Sequence, residues 1–221
     1  MTESAARTVA ASGVRDGGRG IPALPEIRAA DGRRRRHRAT SRAITVAAQS
    51  LAATHGLDGF TMDQLAHAVG LSRRTLFNYF SGKEEAVLGE MPVVEETSLA
   101  TFRAGGPTGH LLLDLAGLAT EIIGSVAPTP AQMRIGRDVF TKNPRLLSRD
   151  QERFEAYVAQ FRQEISSREG YAASDVRPRL AVAIVVALYE VALEELVSGR
   201  SEGDLATAFA ATLQGARSLV G

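Results

Sequence analysis

Arg73, Arg74, Thr75 and Asn78 stand within six consecutive residues, interleaved with Leu76 and Phe77. Two guanidiniums, a hydroxyl and a carboxamide make a dense hydrogen-bonding set. If this segment is a helix, Leu76 and Phe77 turn toward a small core with Leu51, Phe60, Leu65 and Val69, and the basic polar residues face solvent. Such a helix suits the major groove of DNA, where a guanidinium pairs bidentately with O6 and N7 of guanine.

The elements needed to hold that helix are legible on either side. The pattern turns helical between residues 33 and 55, where Ile44, Ala47, Ala48 and Leu51 fall at i, i+3, i+4 and i+7 on one apolar face, and Gly56 sits where a C-cap is wanted. Thr61 and Gln64 have the spacing of a capping box, opening a short helix with Met62, Leu65, Ala66 and Val69 on one face. Gly70 and Leu71 make a tight turn. Ser72 is placed to N-cap the polar helix, which Tyr79 and Phe80 close. Ser81-Gly82 break the chain, and Lys83 opens a fourth helix. Helix, Gly turn, helix is the helix-turn-helix order.

These residues resemble a known family. Phe60-Thr61-Met62-Asp63-Gln64-Leu65-Ala66, then Gly70-Leu71-Ser72-Arg73-Arg74-Thr75-Leu76-Phe77-Asn78-Tyr79-Phe80, then Lys83-Glu84-Glu85 look like the N-terminal domain of bacterial TetR/AcrR-type repressors, over roughly residues 35–88. The resemblance implies that Arg73, Arg74 and Thr75 approach base edges, and that Thr61, Ser72, Tyr79 and Lys83 hold backbone phosphates, with Asn78 able to do either. Thr61, Ser72 and Lys83 also lie at helix starts, where free N–H groups favour an anion. Phe77 departs from the Tyr often found at its position, so a base contact there would be apolar.

Charge is unevenly distributed. The net charge of +1 divides into 0 over residues 1–32, +7 over 33–83 and −6 over 84–221. A basic head on an acidic body is the footprint of a polyanion-binding module. Three segments are expected: a disordered, Gly- and Arg-rich arm over 1–32, the helix-turn-helix domain over 33–83, and a helical ligand-binding and dimerisation domain over 84–221. Arg33, Arg34, Arg35 and Arg36 form a basic run just before the first predicted helix. They read either as a solvated fringe or as an arm on phosphates or an adjacent minor groove.

The body reads as all-α, in keeping with an all-α fold for the chain. Helices are expected over 111–126, 131–142, 144–168, 175–198 and 203–220, broken by Pro128, Pro130, Asn143-Pro144 and Gly199. The helix Arg179–Val197 is apolar nearly all round, so it should be buried on every side, partly by something outside its own domain. The expectation is a homodimer through Arg179–Val197 and Leu205–Leu219, as in the family it resembles. Two heads ~34–36 Å apart would then read a palindromic double-stranded operator. Met133, Arg137, Phe140, Phe154, Tyr157, Phe161 and Tyr189 are candidates for the wall of an effector pocket or for plain core. Arg137 would pair with a ligand carboxylate, or else with Glu152 or Glu155. The effector is expected to be apolar or amphipathic; a fatty acyl group is one guess.

Other chemistries find little here. There is no Cys, and no pair of His stands at i, i+4, which leaves no metal site in prospect. G-x-S-x-G, H-E-x-x-H and P-loop patterns are absent, so no catalytic residue and no cofactor is expected. The longest apolar run, Leu180 to Tyr189, has ten residues, short of the ~18–20 of a spanning helix, and the N-terminus has no apolar signal region. A cytoplasmic location follows as an expectation. A ligand-released repressor is the leading reading. An activator of the same fold and a non-specific architectural DNA-binding protein are the alternatives.

Overall fold

A computed structural model describes the backbone of residues 24–126 and 128–220, and side chains from residue 32 to residue 219 except residue 127. Ten α-helices and no strand occur among the described residues: α1 (Leu24–His55), α2 (Met62–Ala68), α3 (Arg73–Phe77), α4 (Lys83–Leu88), α5 (Glu96–Arg103), α6 (Leu111–Val126), α7 (Pro130–Lys142), α8 (Pro144–Glu169), α9 (Arg177–Val197) and α10 (Leu205–Val220). The chain divides into two compact units, residues 1–37 and 38–221.

The first unit departs from its expected form. The predicted arm lies outside the described residues up to residue 23, but residues 24–32 are helical. Pro25 falls in the first turn, where its missing N–H and fixed φ are tolerated, and Glu26, Ala29 and Ala30 favour helix. The basic run Arg33–Arg36 therefore sits on a helix and not on an extended strand of chain. Successive side chains are ~100° apart round a helix, so these four cannot all address one groove. All four are exposed, and the Arg36 Nε donates to the Gly32 carbonyl at 3.3 Å.

In the second unit, Ile44, Ala48 and Ala52 of α1 form a buried stripe with Phe60, Leu65, Ala66, Leu76 and Phe80. Ala86 and Val87 of α4 join the same cluster, as do Val139 of α7 and Leu146 of α8. The expected boundary at Lys83 thus falls on the first residue of a helix that packs with the head. Gly59 lies so close to the end of α1 that a Cβ would overlap the His55 carbonyl. Only glycine lets the chain turn there into α2.

A second cluster fills the body, drawn from α5, α6, α8, α9 and α10, with Phe102, Ile165 and Phe209 among its most deeply buried side chains. The α9 helix is not buried on every side. Leu180, Ile184 and Val191 are 52%, 45% and 49% exposed, and Ala183 and Ala187 share their stripe. Its composition is apolar all round, so periodicity could not tell which face its own domain would leave uncovered. On α10, Thr207, Ala210, Ala211, Gln214, Gly215 and Ser218 form an exposed row of small and polar residues. No single described helix is long and apolar enough to cross a membrane.

One polar pair is sealed inside the body. The Asp114 carboxylate accepts from the Thr108 backbone N–H at 2.8 Å, the Thr108 hydroxyl at 2.6 Å and the Arg168 guanidinium at 2.7 Å. Arg168 also lies over the Phe102 ring, 4.6 Å from its centroid. Burial alone would push the Asp114 carboxyl upward, but the hydrogen bonds from Thr108 and Arg168 together hold it below the ordinary carboxylate range. Its contribution to stability is fully present above the unfolded-state pKa of ~3.9 and is lost as pH falls through the lower folded value. Asp114→Ala removes one carboxylate from a buried guanidinium, leaving it Glu169 at 2.9 Å and the Gly105 carbonyl at 3.0 Å, and is expected to cost about 3 kcal/mol. Urea denaturation at pH 7 checks this, and the difference from wild type should narrow as the titration is repeated toward pH 3.

Candidate nucleic-acid interface and interior cavities

The polar helix α3 has five residues, too few to hold itself. Its start is fixed by Ser72, whose Oγ accepts the Thr75 backbone N–H at 3.1 Å and meets the Thr75 Oγ1 at 2.7 Å. Its core face is Leu76, which is wholly buried. Upstream, α2 opens with a complete capping box: Thr61 accepts the Gln64 N–H at 3.2 Å, and the Gln64 carbonyl oxygen accepts the Thr61 N–H at 2.8 Å. Gly70, with φ of +67°, makes the turn between the two helices.

This arrangement leaves Arg73, Arg74, Phe77 and Asn78 exposed, with Thr75 and Tyr79 half-buried. The expected inward position of Phe77 is wrong: it is 42% exposed. Leu76 and Phe77 are neighbours about 100° apart on a helix, and only one of them can face the core. Phe77 instead lies under Arg73, whose guanidinium carbon is 5.4 Å from the ring centroid. The same guanidinium donates to Asp63 of α2 at 2.8 Å. Asp63 and Phe77 thus hold Arg73 from two sides. The sequence places Asp63 within the motif that carries the resemblance but assigns it no role; as one of two acids in a strongly basic stretch, it carries the signal of a partner.

The two sides of this clamp are weak enough to exchange. An exposed ion pair contributes about 0–1 kcal/mol, whereas a bidentate Arg–guanine pair supplies about 1–3 kcal/mol of discrimination. Lys83, at the start of α4, lies 5.4 Å from the Phe60 centroid and 3.9 Å from the fully exposed Asp58. Its ammonium is therefore steered by an aromatic face and held by only a long ion pair.

The head and the body are tied through α4. Arg149 of α8 bonds the Glu84 carboxylate, with Arg145 Nε 3.7 Å from its other oxygen. The Arg153 guanidinium donates to the Gly89 carbonyl at 2.6 Å, and the Gln49 amide of α1 donates to the Val87 carbonyl at 3.0 Å. Two of the last carbonyls of α4 are thus held from two different helices.

Two cavities lie in the same unit. The larger, about 1010 Å³, includes Met133, Arg137, Phe140 and Tyr189 in its wall. The smaller, about 300 Å³, includes Phe154, Tyr157, Phe161 and Tyr189. All seven candidate pocket residues therefore line one cavity or both, though the sequence did not divide them into two groups. Arg137 makes no ion pair with Glu152 or Glu155; Glu155 pairs instead with Arg162, at 3.3 Å.

The smaller cavity is predominantly apolar, and its polar atoms are few. The Tyr157 hydroxyl is buried with no hydrogen-bond partner, and burial pushes it up to about 12. Asp150, which the sequence reading passed over, lines both cavities. Burial raises its carboxyl above the ordinary range, against the opposing charge of Arg153. Its signal was positional: Asp150, Phe154, Tyr157 and Phe161 lie at i, i+4, i+7 and i+11, an acid on an otherwise apolar stripe.

Residues 44–88 match the model of the bacterial regulatory proteins of the tetR family. A curated relative, the HTH-type transcriptional regulator TcmR of Streptomyces glaucescens, is 28% identical over 174 residues, covering 74% of this chain and 75% of its own. A crystal structure assigned to the TetR family, from Mesorhizobium loti MAFF303099, is 18% identical with a TM-score of 0.47, over 81% of this chain and 96% of that one. With a helix-turn-helix that presents a capped, basic second helix over the matched residues, the chain is similar to DNA-binding transcriptional regulators of the tetR family.

Proposed function

We propose that this regulator is a ligand-released repressor that binds a palindromic operator as a homodimer. The observation that carries the reading is the exposed face of α3, where Arg73, Arg74 and Asn78 project from a helix anchored by Leu76. Arg73 reads a guanine, and Arg74 takes a base or a phosphate, since two adjacent arginines cannot share one base edge. Thr75 contributes a base contact from the same helix. Thr61, Ser72, Tyr79 and Lys83 hold phosphates around it and fix its register. Arg33, Arg34, Arg35 and Arg36 add positive charge from α1.

Dimerisation is supported by the apolar stripe of Leu180, Ile184 and Val191 on α9. Three large aliphatic side chains about half exposed in a row form a surface suited to a second copy. The row of small residues on α10 gives a partner helix room for close approach. Release is supported by α8, which lines both cavities and also carries the Arg149 and Arg153 ties to α4. A ligand that moves α8 would shift the head without touching DNA, provided it binds the two positions of α8 with different affinity.

The test is fluorescence anisotropy of the full chain on DNA flanking its own gene, with an unrelated duplex of equal length as control, titrated across salt. A preference of ~10³-fold or more for the flanking DNA supports an operator; equal and steeply salt-dependent binding to both favours an architectural role. Arg73→Ala is expected to lower discrimination at one or two base positions per half-site by about 1–3 kcal/mol, read by competition with single-base operator variants. Lys83→Ala should weaken binding to every sequence alike and reduce the salt slope by ~1. Ile184→Glu is expected to give a folded monomer by sedimentation and to lose most operator affinity.

A further inference from the structure

The two cavities share six wall residues: Met91, Pro92, Val126, Pro128, Asp150 and Tyr189. Asp150 therefore stands where the smaller, apolar space adjoins the larger, more polar one. Its carboxylate makes no hydrogen bond or ion pair with any described side chain. Arg153, whose charge acts on it, directs its guanidinium to the Gly89 carbonyl. Glu190, another acid, lines the larger space beside Tyr189.

Deeper in, the Tyr157 hydroxyl is the buried polar atom left without a partner on the wall of the smaller space. Aliphatic and aromatic side chains such as Leu115, Ile122, Phe154, Phe161 and Val185 surround it there. A buried O–H with no acceptor is unfavourable unless a ligand supplies one. Asp150 and Tyr157 are seven residues apart on α8, about two turns or ~10 Å along the helix axis.

We infer that the effector is an apolar molecule carrying two polar groups: an acceptor oxygen set on the Tyr157 hydroxyl, and an ammonium or hydroxyl donor set on Asp150. This inference rests on the cavity being the effector site. A carboxylate set at the neck is disfavoured, because its charge would face Asp150 while the guanidinium of Arg153 is engaged by the Gly89 carbonyl; Arg137 lies on the wall of the larger space. A donor on Asp150 and an acceptor on the Tyr157 hydroxyl give both groups partners and leave the apolar part of the molecule among the apolar walls.

The experiment uses the full-length protein and calorimetric titration at pH 7 with three fluorenones substituted at carbon 2, as aminomethyl, hydroxymethyl and carboxylate. The ketone supplies the acceptor in all three, and the amine and the alcohol separate a charged donor from a neutral one. The aminomethyl or hydroxymethyl compound is expected to bind at least about tenfold more tightly than the carboxylate. Asp150→Asn should abolish that preference by weakening the amine and tightening the carboxylate. Tyr157→Phe should weaken all three alike, by several-fold, because only the shared ketone contact is lost.

A carboxylate that binds as tightly as the amine and the alcohol, or a preference unchanged in Asp150→Asn, overturns the assignment of Asp150. Tyr157→Phe without effect overturns the acceptor contact. No binding by any of the three overturns the ligand class. The underlying cavity reading is tested apart from these by Ala119→Trp, which fills the smaller space from its wall; its fold is checked by circular dichroism. Binding that survives this substitution unchanged means that the ligands sit elsewhere, so the cavity reading itself falls.

Discussion

The buried side chain of Leu76 is the contact on which the DNA-reading surface depends. A helix of five residues has almost no stability of its own, because nucleation costs more than so few backbone bonds return. α3 exists because Leu76 is packed under Phe60, Leu65 and Phe80 while Ser72 caps its first turn. Everything on the opposite face inherits its direction from that one anchor. Arg73 is further aligned by Asp63 and Phe77, so on the proposed reading its guanidinium is oriented before DNA binds. Such preorganisation lowers the ordering cost of the long side chain on binding.

The same head is not a free-standing object. Val139 and Leu146 complete its core from the start of the body, and Glu84, Val87 and Gly89 are held by groups from outside α4. Apolar packing supplies the cohesion, and the polar ties set the angle. The Arg149–Glu84 pair is partly exposed and adds little net stability. Its significance is geometric: it joins the short helix that leads out of the head to the long helix that walls both cavities.

Much of this was legible before any coordinates. Caps and breaks are local chemistry, so Thr61 with Gln64, Ser72, Gly70, Asn143-Pro144 and Gly199 marked helix ends to within a residue or two. The seven residues that the sequence offers as pocket wall or plain core all line cavities. What escaped was whatever depends on direction round a helix. Leu76 and Phe77 are chemically alike and adjacent, and five residues are too few for a period to separate them. α9 is apolar on every face, so its sequence could not say that Leu180, Ile184 and Val191 stay outside. Asp150 was overlooked because an apolar stripe is traced by skipping its charged members. The start of α1 was set late because the Gly-rich stretch before it dominated the local composition, while Pro25, Glu26 and the alanines that follow favour a helix.

The α8 helix has one further consequence. Asp150, Phe154 and Tyr157 look into the cavities, while Arg149 and Arg153, each one position away from a cavity residue, hold α4. Input and output thus occupy neighbouring rows of a single helix, about 100° apart. On the proposed reading, substitutions in the first row would retune which molecule is sensed and leave the second row intact. If the proposed switch holds, a lineage carrying this helix would have room to exchange one chemical signal for another while keeping the same genes under the same switch.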